Sequence, residues 1–260
     1  MKRLLVGGIL AAAFVVLSTP PASRLVAQAQ PAGPQWLQVV VVQVKPDMIA
    51  DWQALQQNET IPALRKIGVP QRDAWQTVFG AGFEVAFVTP ISKFAARDNP
   101  EGPMVRALGA AAAANYNARV RRMIASQRTY AIQTLPDGSL MPAASYTPKL
   151  AILTLSTIAP GRGADYEHHV RTELLPVMRK VQTPGFFLSR TIFGGNGTEY
   201  GTMRYIENFA EIDQPPPAVR VLGQDGAAKL AAKTQGIVTA VERLILRYNA
   251  GLSFRAKTTS

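Results

Sequence analysis

The chain has 260 residues, 47% hydrophobic and 17% charged, a balance that supports a buried core and excludes a disordered or fibrous protein. The 28 Lys and Arg outnumber the 17 Asp and Glu, but the basic residues are scattered and their one tight cluster, Arg119 to Arg122, accompanies no nucleic-acid motif, so no nucleic-acid partner is expected. The absence of cysteine excludes disulfides, thiolate metal sites and a lipidated cysteine.

Residues 1–29 read as a signal peptide. "MKR" supplies positive charge, Leu4 to Leu17 an apolar run, and Ala27-Gln28-Ala29 a small-x-small cleavage site. The run is 14 residues long, short of the roughly 17–20 that span a bilayer comfortably. Cleavage after Ala29 removes Lys2, Arg3, Arg24 and no acid, lowering the net charge from +11 to +8. The expected product is periplasmic or secreted, without stable membrane insertion.

Beyond the leader the chain repeats itself. Trp36–Gly80 aligns without a gap on Leu150–Gly194, 114 residues later, and 11 of the 45 pairs are identical. They include Pro46/Pro160, Glu59/Glu173, Pro62/Pro176, Arg65/Arg179 and Gly80/Gly194. Unrelated segments of ordinary composition share roughly 3. Each copy opens with a β-rich run apolar on both faces, "LQVVVVQV" or "LAILTLSTI". A helix follows at 48–67 and 162–181, then two strands joined by a Gly-rich turn, 74–89 and 187–206. The turn "GGNGT" carries an Asn-Gly-Thr sequon, read as a chance match. A second helix is expected at 103–125 and 218–240, and a last strand at 128–135 and 242–248. The organisation is an N-terminal linker 30–35, a first repeat 36–140, a linker 141–149, a second repeat 150–254 and a tail 255–260.

The order β-α-β-β-α-β is that of a ferredoxin-like unit, with both helices on one face of a four-stranded sheet. The other face is equally apolar and must be covered. The expected fold is therefore α+β, two tandem ferredoxin-like units whose sheets face each other in one pseudo-dimeric barrel. This arrangement resembles the dimeric α/β barrel superfamily. The turn at Pro46/Pro160, with Glu59/Glu173 inside the following helix, is similar to its NIPSNAP-like branch. The resemblance implies kinship with cofactor-free antibiotic-biosynthesis monooxygenases, EthD-like proteins, polyketide cyclases, muconolactone isomerases and haem enzymes of the chlorite dismutase type. It does not by itself imply one reaction, or an enzyme at all.

Both histidines lie side by side in "EHHVRTELLPVMRK". On a helical wheel Tyr166, Val170, Leu174, Val177, Met178 and Val181 form the sheet-facing stripe. His169 sits at its rim four residues before Glu173, while His168 points toward water. In the first repeat these histidine positions are Leu55 and Ala54. His169 as acid/base with Glu173 orienting it is one reading; a surface pair, with Glu59/Glu173 tying each bent helix to an Arg or Lys, is the other. Two donors are too few for a metal, and no cofactor is expected. Arg190 and Arg204 stand in apolar strands, where each needs an anionic ligand or a partner such as Glu199 or Glu207. With Tyr200, Tyr205 and Trp75 they are candidates to line a pocket for a small apolar or aromatic ligand. The function expected is small-molecule binding; the alternative is a cofactor-independent monooxygenase, cyclase or isomerase acting on a small aromatic or enolisable substrate. Oligomeric state is not readable.

Overall fold

A computed structural model describes residues 33–256. The expected signal segment 1–29 and its expected cleavage site lie outside them. The strands are β1 (Trp36–Val44), β2 (Gln71–Phe79), β3 (Glu84–Pro90), β4 (Ile124–Thr134), β5 (Leu150–Ile158), β6 (Phe186–Phe193), β7 (Glu199–Ile206), β8 (Val238–Tyr248) and the short β9 (Phe254–Arg255). The last strand of each repeat starts earlier than the sequence pattern suggests. At β8 this cuts the expected helix 218–240 back to Pro217–Ala232.

Within each repeat the strand order is the ferredoxin-like one, β4-β1-β3-β2 and β8-β5-β7-β6. The half-sheets face across the interior and also join edge to edge: β4 pairs with β6, and β8 with β2. Eight antiparallel strands thus close a barrel that has no free edge among them. Both seams carry a register shift, between Thr77 and Phe79 at one and opposite Thr191 and Phe193 at the other. Beside them stand Gly80 and Gly194, identical in the two copies. A Cβ on Gly194 would lie 2.3 Å from the Thr129 carbonyl oxygen, and one on Gly80 2.5 Å from the Leu244 side chain. Glycine is what lets the two halves approach.

The helices cover the outside. Each first helix is interrupted by a π-turn, at Gln56–Thr60 between α1 (Ile49–Leu55) and α2 (Ile61–Lys66), and at Val170–Leu174 between α5 (Gly163–His169) and α6 (Leu175–Lys180). Pro62 and Pro176 explain both. Proline offers no N–H to the carbonyl four residues earlier and its ring crowds that carbonyl, so the chain slips by one residue. The second helical layer is α3 (Pro103–Leu108) and α4 (Ala110–Met123) in the first repeat. In the second it is α7 (Ala210–Asp213) and α8 (Pro217–Ala232).

Among the described residues there are three cores. Trp75, Ala151, Leu244 and Leu246 fill the barrel interior. Under the second repeat's helices, Ile158, Val170, Leu175, Phe186 and Leu188 are all at most 2% exposed in a continuous apolar layer. The first repeat's layer is built from Val42, Val44, Trp52, Val85, Phe87 and Leu252, and beside it lies a buried polar group, Gln56, Thr60, Arg72 and Tyr116. Their second-repeat counterparts, 114 residues on, are Val170, Leu174, Phe186 and Leu230.

After its last strand each repeat sends a strap across the other half. Pro136–Gly138 and Ala250–Leu252 are equivalent single turns. Leu140 then bridges Phe186, as Phe254 pairs with Arg72. Ser139 and Ser253 accept the backbone N–H groups of Leu188 and Ala74 at 2.9 Å. Volumes are exchanged in step: Gly138 lies against Leu188, where the equivalent pair is Leu252 and Ala74.

Candidate functional site

His168 and His169 both line one open cleft of about 230 Å³, with Arg162, Asp165, Glu173 and Lys233. His168 is exposed to water, as the helical wheel expects, and His169 is half-buried at the rim. Burial holds the half-buried His169 below the ordinary histidine pKa, against the pull of Glu173. Glu173 makes its close contact elsewhere, with Lys233 Nζ at 2.6 Å, and that cation keeps its carboxyl below the usual range. Glu59 pairs with Arg119 at the equivalent positions. The carboxylate common to both repeats ties the first helix to the second, and Val170, on the sheet side of the π-turn beside it, is fully buried.

A larger cleft of about 320 Å³ lies at the other side of the same helix. Leu135, Asp137 and Gly138 of the strap, Glu167, Arg171 and Leu188 line it. Here two expected residues come together. Arg190 on β6 is the register partner of Tyr200 on β7, so both project to the helix-covered face. Tyr200 Oη donates to Glu167 Oε1 at 2.8 Å, and Arg190 Nη1 stands 3.6 Å from that oxygen. Arg190 also donates through Nε and Nη2 to Gln133 Oε1, at 3.1 and 2.8 Å. Tyr166 packs edge-on against the Tyr200 ring at 5.1 Å, and Gly163 leaves room for its hydroxyl, since a Cβ there would sit 2.7 Å away. Burial, with the Glu167 carboxylate, pushes the Tyr200 phenol up to about 12. At neutral pH Tyr200 is therefore a donor, and Glu167 the acceptor and potential base.

The other candidates sit apart. Arg204 pairs with Glu211 at 3.4 Å, not with Glu207, which Lys149 engages at 2.9 Å. Burial lowers the Arg204 guanidinium pKa, and Glu211 opposes the shift. Tyr205 points into the barrel, stacked on Trp75 at 5.6 Å and on Tyr146 at 5.8 Å. The sheet separates it from Tyr200, so the expected aromatic pocket does not assemble from these residues. Among the described residues no three His, Asp or Glu side chains are placed to hold a metal, and no helix is long and apolar enough to cross a membrane.

Sequence reasoning misses Glu167, although it stands two residues before His169. Its partner is 33 residues away on another element, which no local spacing reveals. It also misses Arg72, Gln56, Thr60 and Tyr116. Their signal was in the repeat alignment, in the positions that differ instead of those that agree.

No protein-family model and no curated protein sequence matches the chain. Solved structures do. A candidate monooxygenase from Fusobacterium nucleatum shares 12% identity over 86% of this chain and 94% of its own, with a TM-score of 0.58. An anthrone oxidase-like protein shares 8% over 87% and 95%, TM-score 0.57. A candidate monooxygenase from Lactobacillus acidophilus shares 12% over 83% and 93%, TM-score 0.52. The fold is that of the dimeric α/β barrels, with both halves in one chain.

Proposed function

We propose that the protein binds a small molecule in the cleft between the Gly163–Lys180 helix and β6, in the manner of an uncharacterised NIPSNAP-like barrel. One observation carries this reading: Glu167, which lines the cleft of about 320 Å³, accepts the Tyr200 hydroxyl and has Arg190 beside it. A phenol donor, a carboxylate acceptor and two guanidinium groups, Arg190 and Arg171, suit a ligand with an acidic hydroxyl or enolisable carbon. Glu167 accepts the acidic hydrogen, Tyr200 donates to a ligand oxygen, and the arginines balance the charge that develops.

The same groups support the enzymatic reading, a cofactor-independent monooxygenase, cyclase or isomerase. Its support is the proton-handling pair together with the likeness to proteins described as monooxygenases and as anthrone oxidase-like. His169, opening on the neighbouring cleft, is the second candidate base, with Glu173 as its charge partner. If the protein is such an enzyme, Glu167→Gln lowers turnover of an anthrone, followed by oxygen uptake, by about 10²–10⁴-fold. We also place the mature protein outside the cytoplasm, beginning at Gln30, which N-terminal sequencing of the exported protein checks.

The binding reading is tested by native mass spectrometry of the protein as expressed. Asp137→Trp fills the cleft from its exposed rim without touching the core. A low-mass compound carried by the wild type and lost from this variant is the expected result; equal retention by both places the ligand elsewhere.

A further inference from the structure

The first repeat buries a cation that its fold does not need. Arg72 is 4% exposed on the helix-covered face of β2. Its Nε and Nη2 donate to the Leu252 carbonyl at 3.3 and 3.1 Å, and its Nη1 to Gln56 Oε1 at 3.1 Å. These acceptors are neutral, the bonds are longer than the roughly 2.7–2.9 Å of charge-assisted ones, and they engage three of five N–H groups. No carboxylate pairs with Arg72 among the described residues. A charge withdrawn from water ordinarily demands an opposite one. Burial lowers the pKa of this guanidinium to about 10, with Tyr116 opposing the shift.

The second repeat shows that the site is not a folding requirement. Phe186 occupies the Arg72 position, and Val170, Leu174 and Leu230 replace Gln56, Thr60 and Tyr116, on the same strand, helix and π-turn. All four positions turn polar together in the first repeat. Around the guanidinium stand aromatic walls: the Phe87 ring lies 4.2 Å below it, with Trp52 5.8 Å further on, and Phe254 6.0 Å from it. Tyr116 and Thr60 share a 2.7 Å hydrogen bond in the same cluster. The cover is the strap of residues 249–256, the last described segment, which ends in the two-residue β9 and takes no part in closing the barrel. None of the eight barrel pairings depends on it.

We propose that Arg72, Gln56, Thr60 and Tyr116 form a second ligand site, for an aromatic carboxylate or phenolate. The anion takes the place of the Leu252 carbonyl on Nε and Nη2, its ring lies between the aromatic walls, and the strap moves aside. This site is independent of the cleft at Glu167.

The probe is benzoate, with benzamide as its neutral isostere, each titrated by isothermal calorimetry. The wild type binds benzoate saturably and at least about tenfold more tightly than benzamide. Arg72→Gln abolishes the preference, and Asp137→Trp, which closes the other cleft, preserves it. Equal binding of the two probes, or benzoate binding that survives Arg72→Gln in a folded variant, overturns the proposal. Amide exchange in the wild type needs no variant: benzoate should speed exchange at Asn249 and Ala256, whose N–H groups hold the strap to Ala74 and Pro70, and unchanged exchange there refutes the assignment.

Discussion

The two repeats share a strand order, a proline-induced π-turn, a glycine at each seam and a strap, yet they differ under their helices. In the second the counterparts of Gln56, Thr60, Arg72 and Tyr116 are all apolar, and its charges stand at the border, where Glu167 lines a cleft and meets Tyr200 and Arg190. The first puts a guanidinium and three polar side chains inside and covers them with the strap. What is equal between the copies is what closes the barrel; what differs is chemistry. A single-chain duplication permits this divergence, because two identical subunits would have to change both sites at once.

The largest expected effect is in the apolar interface. Leu175→Ala removes a side chain that is 1% exposed and costs about 2–5 kcal/mol, measured by urea denaturation. A cost below about 1 kcal/mol would mean that this layer is not packed as described. The next sharpens the comparison directly. Arg72→Leu alone leaves the Leu252 carbonyl and Gln56 without their donor and costs about 1–3 kcal/mol. Converting all four positions to their counterparts (Gln56→Val, Thr60→Leu, Arg72→Phe, Tyr116→Leu) recovers that loss or exceeds it, since an apolar set of matched volume replaces a buried charge. A quadruple variant less stable than the single one would show that the repeats are not interchangeable at this layer. The smallest effect is at the border ion pairs: Glu59→Gln and Glu173→Gln shift the thermal midpoint slightly, and the shift fades as salt is raised.

Much of the fold was legible because the repeat places it under two constraints at once. Apolar faces on both sides of "LAILTLSTI" required a cover on each, and the pairs Pro62/Pro176 and Gly80/Gly194 stood out as identities, although the π-turn and the seam they serve became visible only in the structure. The ends of elements were less legible, since β8 starts at Val238 through pairing with Ile158, a contact no local pattern encodes. The site was legible in part. Arg190 and Tyr200 stood out as polar residues in apolar strands, but their meeting depends on β6–β7 register and on Glu167 from a helix. The histidines drew attention by rarity, and Glu173 proved to face Lys233. Arg72 gave no local signal, because an Arg at the start of a strand is ordinary until its burial is known.

The central claim is that Tyr200, Glu167 and Arg190 form one charged unit in the second repeat. Tyr200 titrates near 12 in the folded protein against about 10 in an unfolded chain. Its contribution to stability is therefore complete below about 10 and lost as pH rises through about 12. The direct measurement is the alkaline ultraviolet titration of the wild type and of Glu167→Gln, with Tyr200→Phe identifying the transition. Removing the carboxylate should bring that transition part of the way down, since burial, the larger cause, remains, and a transition that stays where it was in the wild type would contradict the account.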